Sequence, residues 1–173
     1  MRTSRARIAE PSHAHSPGVR LSRAPCTRAQ ARIPSATDGK PRIYLVYDSR
    51  RNTEINNAGK IAYHYRDEFH FEHSDNPRGH TSWLTQSEGV LLVWGEAAED
   101  WCAAEFEQML RLSHSPKARG LCLFDPKQSK SLLAEQIRKT YSAPPQIHVA
   151  EQFGAFDPSR LQPFFEPIRS TIG

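Results

Sequence analysis

The stretch Asp100-Trp101-Cys102-Ala103-Ala104-Glu105 places a carboxylate among apolar neighbours, directly behind Gly89-Val90-Leu91-Leu92-Val93-Trp94, a run that reads as a buried strand. At about 100° per residue, Cys102, Phe106 and Met109 centre the apolar arc of the following helix, Trp101 and Leu112 lie at its edge, and Glu105 falls inside it. An acid on the core side of a helix has two explanations. It is structural, reaching water or pairing with an arginine, or it serves chemistry, because an α/β protein keeps its reactive groups where helices follow buried strands.

The elements that must position Glu105 can be read from Pro41 onward, where strand and helix patterns alternate in the manner of a parallel sheet covered on both faces. Ile43-Tyr44-Leu45-Val46-Tyr47 is a continuous apolar run, as expected of a fully buried strand. Thr53 is placed to cap a helix whose inward residues are Ile55, Ala58, Ala62 and Tyr65. Residues 69–72 give a second strand and Asp75-Asn76-Pro77-Arg78-Gly79 a loop, after which Thr81 starts a short helix with Trp83 and Leu84. Behind the third strand and the Glu105 helix come a fourth strand at 121–124, a helix over 129–141 and a fifth strand at 147–149. A last helix is opened by Asp157 with Pro158 in its first position and carries Leu161, Phe164, Phe165 and Ile168. Five strands and five helices in strict alternation predict a flavodoxin-like doubly wound sheet of five parallel strands, order 2-1-3-4-5, with helices on both faces.

In that topology ligands bind at the carboxyl ends of the strands where the order reverses, between the first strand and the third. Tyr47, Asp48, Ser49, Arg50 and Arg51 are delivered there by the first strand, and Trp94, Gly95 and Glu96 by the third, with Trp101 and Glu105 on the adjoining helix. Aromatic faces for a ring, guanidinium groups for a pyrophosphate and a carboxylate for a ribose converge on one place.

The chain has 173 residues, room for one α/β domain over 41–173 and a tail. Its formal charge of +4 resembles a nucleic-acid signal only until it is divided. Residues 1–40 hold eight Lys/Arg against Glu10 and Asp38, a net of +6, so residues 41–173 carry a net of −2 and give no reason to expect DNA or RNA. The tail is rich in Arg, Ser, Ala and Pro without apolar periodicity, and is expected to be disordered. Its Arg-rich, acid-poor composition also suits an organelle transit peptide, or a stretch translated from an upstream start in error. Cys26, Cys102 and Cys122 are an odd and scattered set that points to a reducing compartment. No run approaches the roughly 18 apolar residues of a membrane span. A cytoplasmic protein without membrane contact is expected.

These features together resemble a TIR (Toll/interleukin-1 receptor) domain of the bacterial signalling and defence type, over residues 42–170. Trp101-Cys102-x-x-Glu105 behind its strand is similar to the third strand and following helix of that family, and Tyr47-Asp48-Ser49-Arg50-Arg51 resembles its first-strand box. Asp75-Asn76-Pro77-Arg78-Gly79 takes the place of its second-strand loop, and Gly154-Ala155-Phe156-Asp157-Pro158-x-x-Leu161-x-Pro163-Phe164 looks like the tail of such domains. The chain departs from the family pattern twice: Glu99 replaces the common Ser two residues before the motif Trp, and Val46-Tyr47-Asp48 replaces Ser-Tyr-acid.

The resemblance implies an NAD glycohydrolase, which cleaves the bond between nicotinamide and ribose. NAD is then a substrate, and no cofactor or metal takes part. Glu105 would be catalytic, Tyr47, Asp48, Arg50, Trp94, Gly95 and Trp101 would bind the substrate, and Asp75, Pro77, Arg78 and Gly79 would carry the self-association that completes the site. The alternatives are a TIR-like module that signals by homotypic contact without turnover, and a deoxyribosyltransferase-like enzyme that also sets a Glu beside a ribose. His64, His70, His73 and His80 cluster in sequence but lack a recognised ligand spacing for zinc, since His70 and His73 fall on opposite faces of a strand. No Gly-rich phosphate loop or Gly-x-Ser-x-Gly elbow is present.

Overall fold

The run Ile43 to Val46 is almost entirely shielded from solvent, so its backbone groups must be paired on both edges and the strand must be internal. In the computed structural model, which describes residues 39–75, 79–112, 118–143 and 146–170, this strand, β1 (Arg42–Val46), lies between β2 (His70–His73) and β3 (Gly89–Trp94). β4 (Ala118–Phe124) and β5 (Ile147–Gln152) extend the sheet beyond β3, in the order β2-β1-β3-β4-β5 with every neighbouring pair parallel. The connections are α1 (Asn52–Tyr65), α2 (His80–Gln86), α3 (Glu99–Leu112) and α4 (Ser131–Thr140), and α5 (Gln162–Arg169) follows β5. This is the flavodoxin-like α/β fold.

Alternation along the strands divides the core into two layers. Ile43, Leu45, Leu91, Val93 and Cys122 pack with Ala58, Ile61 and Tyr65 of α1 and Phe164, Phe165 and Ile168 of α5. Tyr44, Val46, Val90, Leu92, Trp94, Leu121 and Leu123 pack on the other face with Leu84 of α2, Cys102 and Met109 of α3 and Ala134 of α4. Gly120 brings α5 down onto the sheet, since a Cβ there would stand 2.7 Å from Phe164 Cδ2 and 2.8 Å from Leu91 Cδ1. Asp157 caps a 3-10 turn over Pro158–Leu161 by accepting from the Ser159 amide, and that turn runs into α5.

The structure departs from sequence expectation in several places. Thr53 does not cap α1. Arg51 holds the cap position without a side-chain bond, while the Thr53 hydroxyl donates to Glu96 Oε2 at 3.1 Å. The inward face of α1 is also turned: Ile55 stays 41% exposed, whereas Glu54 and Asn57 are buried. α2 starts at His80 rather than Thr81, β4 begins three residues before Leu121, and β5 continues to Gln152. Pairing with neighbouring strands decides the ends of β4 and β5, and local apolar patterning does not report it. The tail expected to be disordered over 1–40 lies, up to residue 38, outside the described residues, as do residues 76–78 of the loop 75–79 and residues 144–145. Among the described residues no helix is long and apolar enough to cross a membrane.

Candidate active site

At the carboxyl end of the sheet a cleft of about 470 Å³ opens between β1, the turn after β2, the start of α2 and the side of α3. Tyr47, Asp48 and Arg50 reach it from the end of β1, Ser74 from the end of β2, His80 from α2, and Trp101, Glu105 and Gln108 from one stripe of α3. Ser74 ties the rim together: its hydroxyl donates to the Tyr47 carbonyl at 2.7 Å, while the Tyr47 amide donates back to it at 2.9 Å. The Tyr47 hydroxyl lies 3.3 Å from His73 Nδ1, and burial, followed by the charge of Asp75, raises its pKa. Of the loop residues expected to carry self-association, Asp75 is exposed and Gly79 caps α2, while Pro77 and Arg78 lie outside the described residues.

Glu105 stands where the helical wheel puts it, half-buried with 22% of its side chain exposed along the cleft. Among the described residues its partner is a histidine, not an arginine. Glu105 Oε2 lies 3.4 Å from His80 Nε2, both atoms are closed off from solvent, and neither completes a hydrogen bond of good geometry. The other ring nitrogen of His80, Nδ1, is 2.7 Å from the hydroxyl of Tyr44, a residue wholly inside the core. Burial, reinforced by the Glu105 charge, drives the Tyr44 hydroxyl well above the ordinary tyrosine range, so it stays protonated.

Asp48 is 5% exposed and sits between two guanidinium groups. Arg50 grips it with Nε at 2.7 Å and Nη2 at 3.0 Å, and Arg51 Nε approaches to 3.7 Å. Of the two guanidinium groups only Arg50 lines the cleft, where Asp48 and Glu105 are the carboxylates. The hydrogen bond from Arg50 lowers the Asp48 pKa. A carboxyl with a depressed folded pKa stabilises fully above its unfolded value and loses that contribution as pH falls through the folded one. The stability gap between wild type and Asp48→Asn should therefore be full above about pH 4 and close in more acidic solution, as read by urea unfolding midpoints against pH. A gap that persists unchanged into acid would show that the pair contributes nothing.

Trp94 and Gly95 are not brought to this cleft. Trp94 is 1% exposed, its indole Nε1 donates to the Ala97 carbonyl at 2.9 Å, and Lys130 Nζ covers its ring at 4.0 Å, so no face is open to a base or nicotinamide. The amides behind β3 are taken by a residue that the sequence did not flag. Glu54, wholly buried at the start of α1, accepts with Oε1 from Gly95 at 2.9 Å, Glu96 at 2.7 Å and Ala97 at 2.8 Å, and with Oε2 from Gly95 at 3.0 Å. Gly95 suits that fit, because a Cβ would lie 3.3 Å from Glu54 Oε2. An internal carboxylate thus occupies the amides that the third strand would otherwise offer to an anion.

The remaining candidates resolve as structure. Burial pushes the Cys102 thiol up to about 12, which leaves no thiolate at neutral pH. Among the described residues no three His, Cys, Asp or Glu side chains are grouped to hold a metal ion. His70 pairs with Glu72, His73 with Tyr47 and His80 with Tyr44 and Glu105. Tyr44, Ser74 and Gln108 are site residues that sequence reasoning missed, and His80 entered it only as one of four histidines weighed for zinc. Tyr44 reads as one more apolar residue of a buried run, and the only local signal for His80 is its position at the end of the loop that leads into α2. Comparison with protein-family models, curated proteins and solved structures finds no match to this chain.

Proposed function

We propose that this chain is a TIR-like enzyme of signalling or defence that cleaves the N-glycosidic bond between nicotinamide and ribose in NAD. The observation that carries the reading is the place of Glu105: a carboxylate on the wall of a cleft at the carboxyl end of a doubly wound sheet, which Arg50 also lines. In the reaction the C1′–N bond breaks, its electron pair stays on the pyridine nitrogen and nicotinamide leaves neutral, so neither an acid nor a metal is needed at the leaving group. The sugar carbon becomes oxocarbenium-like, and the anionic Glu105 stabilises charge that exists only at the barrier. Water then adds to C1′ and releases a proton. Tyr47 and Trp101 supply aromatic walls, and Arg50 the charge for a pyrophosphate.

Incubating the purified full chain with NAD and measuring nicotinamide tests this directly. No nicotinamide at any protein concentration would end the NAD-cleaving reading. Self-association through the loop 75–79 belongs to the same proposal, with the cytoplasm as the compartment. Activity per chain should rise with protein concentration, and substituting Pro77 or Arg78 should lower it in dilute solution while leaving the thermal transition in place. Equal oligomer size and equal activity in the substituted chains would remove the loop from the mechanism.

One observation favours a non-catalytic interaction module instead. Leu132 is 84% exposed, and a groove of about 540 Å³ between α3 and α4 is lined in part by Phe106, Leu110, Leu133 and Ile137. Apolar surface of this kind suits a contact between proteins. Self-association without turnover would decide for that reading.

A further inference from the structure

We propose that His80 is a positioning residue for Glu105, and that Tyr44 sets the His80 tautomer that does the positioning. For its catalytic consequence the inference rests on the NAD reading above; its structural content does not. Three groups from three elements form one chain: Tyr44 of β1, His80 at the head of α2 and Glu105 on α3. A tyrosine hydroxyl buried in the core stays protonated and needs an acceptor for its O–H, and among the described residues the partner within reach is His80 Nδ1 at 2.7 Å. When Nδ1 accepts, the proton of a neutral imidazole resides on Nε2. Nε2 is the nitrogen that faces Glu105 Oε2.

The consequence for Glu105 is geometric. A carboxylate on a helix turns about its last side-chain bond unless one oxygen is held, and His80 Nε2, 3.4 Å from Oε2 without a completed hydrogen bond, is the group placed to hold it. The 3.4 Å separation is longer by about 0.5 Å than a strong charge-assisted bond, a slack that commonly tightens once substrate is bound. Burial of Nε2 and Oε2 against each other means that neither can turn to water instead. The logic is that of a third group fixing the tautomer and orientation of a catalytic pair.

The test uses the full chain as wild type, Tyr44→Phe, His80→Gln, His80→Leu and His80→Ala. Three quantities are read: kcat and KM for nicotinamide release from NAD, the side-chain carboxyl carbon resonance of Glu105 in protein labelled at glutamate, and thermal unfolding. The Glu105 resonance is assigned by its loss in Glu105→Gln. His80→Ala should lower kcat about 10-fold or more while KM moves far less, and His80→Gln, whose amide can donate to Oε2, should recover part of the loss that His80→Leu does not. A space-filling role would rank Gln and Leu alike. The Glu105 resonance should move in His80→Ala and in Tyr44→Phe. A resonance that stays in place in both variants overturns the proposal whatever the turnover, and so does full turnover in His80→Ala. If His80→Ala does not fold, the Gln, Leu and Tyr44→Phe variants decide the matter by the same readouts. If the wild type releases no nicotinamide, the NAD reading falls while the positioning of Glu105 is still decided by the resonance.

Discussion

Glu105→Gln should lower nicotinamide release by about 10²-fold or more, a loss of about 2.7 kcal/mol or more of barrier stabilisation. The amide keeps the volume and most of the hydrogen-bonding capacity and removes the charge, so the variant separates electrostatic stabilisation of an oxocarbenium-like carbon from packing. The fold should tolerate the change. Glu105 keeps 22% of its side chain exposed and its His80 contact is long and without a completed hydrogen bond, so its worth to stability is about 1 kcal/mol or less. A variant with a clearly lowered melting temperature and wild-type nicotinamide release would show instead that Glu105 is a structural acid. Measuring turnover and thermal unfolding on the same preparation separates the two roles.

Glu54→Ala should have the largest effect on stability, about 3 kcal/mol or more, because it strands three backbone amides, Gly95, Glu96 and Ala97, two of them in buried residues, after removing the carboxylate that satisfies them. For a domain of this size that corresponds to a fall of roughly 10 °C in Tm. Glu54→Gln should be milder. Its carbonyl oxygen replaces Oε1, which takes three of the four bonds, and only the Gly95 contact with Oε2 becomes donor against donor. A Tm within a degree or two of wild type in Glu54→Ala would mean that water reaches those amides and that Glu54 is not the clasp between α1 and the β3–α3 loop. The loop leads directly into α3, so the alanine variant should also lower any activity that depends on Glu105.

Much of the fold was legible in the residues themselves. Continuous apolar runs marked β1 and β3 as internal strands and the 3.6-residue period set Glu105 on the inward side of α3, whereas the last helix expected to open at Asp157-Pro158 begins there only as a 3-10 turn and becomes α5 at Gln162. The strand order followed from the alternation of strands and helices together with the geometry of parallel crossovers. Ile55 shows where that reading fails. Periodicity places it inward, yet the buried residue of that turn is Glu54, because four hydrogen bonds from the loop after β3 outweigh the burial of one isoleucine.

The sequence by itself determined which side of its helix most residues would face, because that depends only on backbone period and apolar spacing over one or two turns. It therefore determined that Glu105 would be drawn inward, that the strand runs would be covered on both faces, and that the end of β1 would carry an acid beside two arginines. Only the tertiary structure decided what those residues meet. Tyr44 finds His80 across 36 positions, and Glu54 finds the amides of Gly95 to Ala97 across 41 to 43. Trp94, at the end of its strand, is enclosed by Ala97 and Lys130 instead of facing a ligand. Partners so far apart in the chain are set by how helices and loops settle on the sheet, a property of packing that no local pattern records.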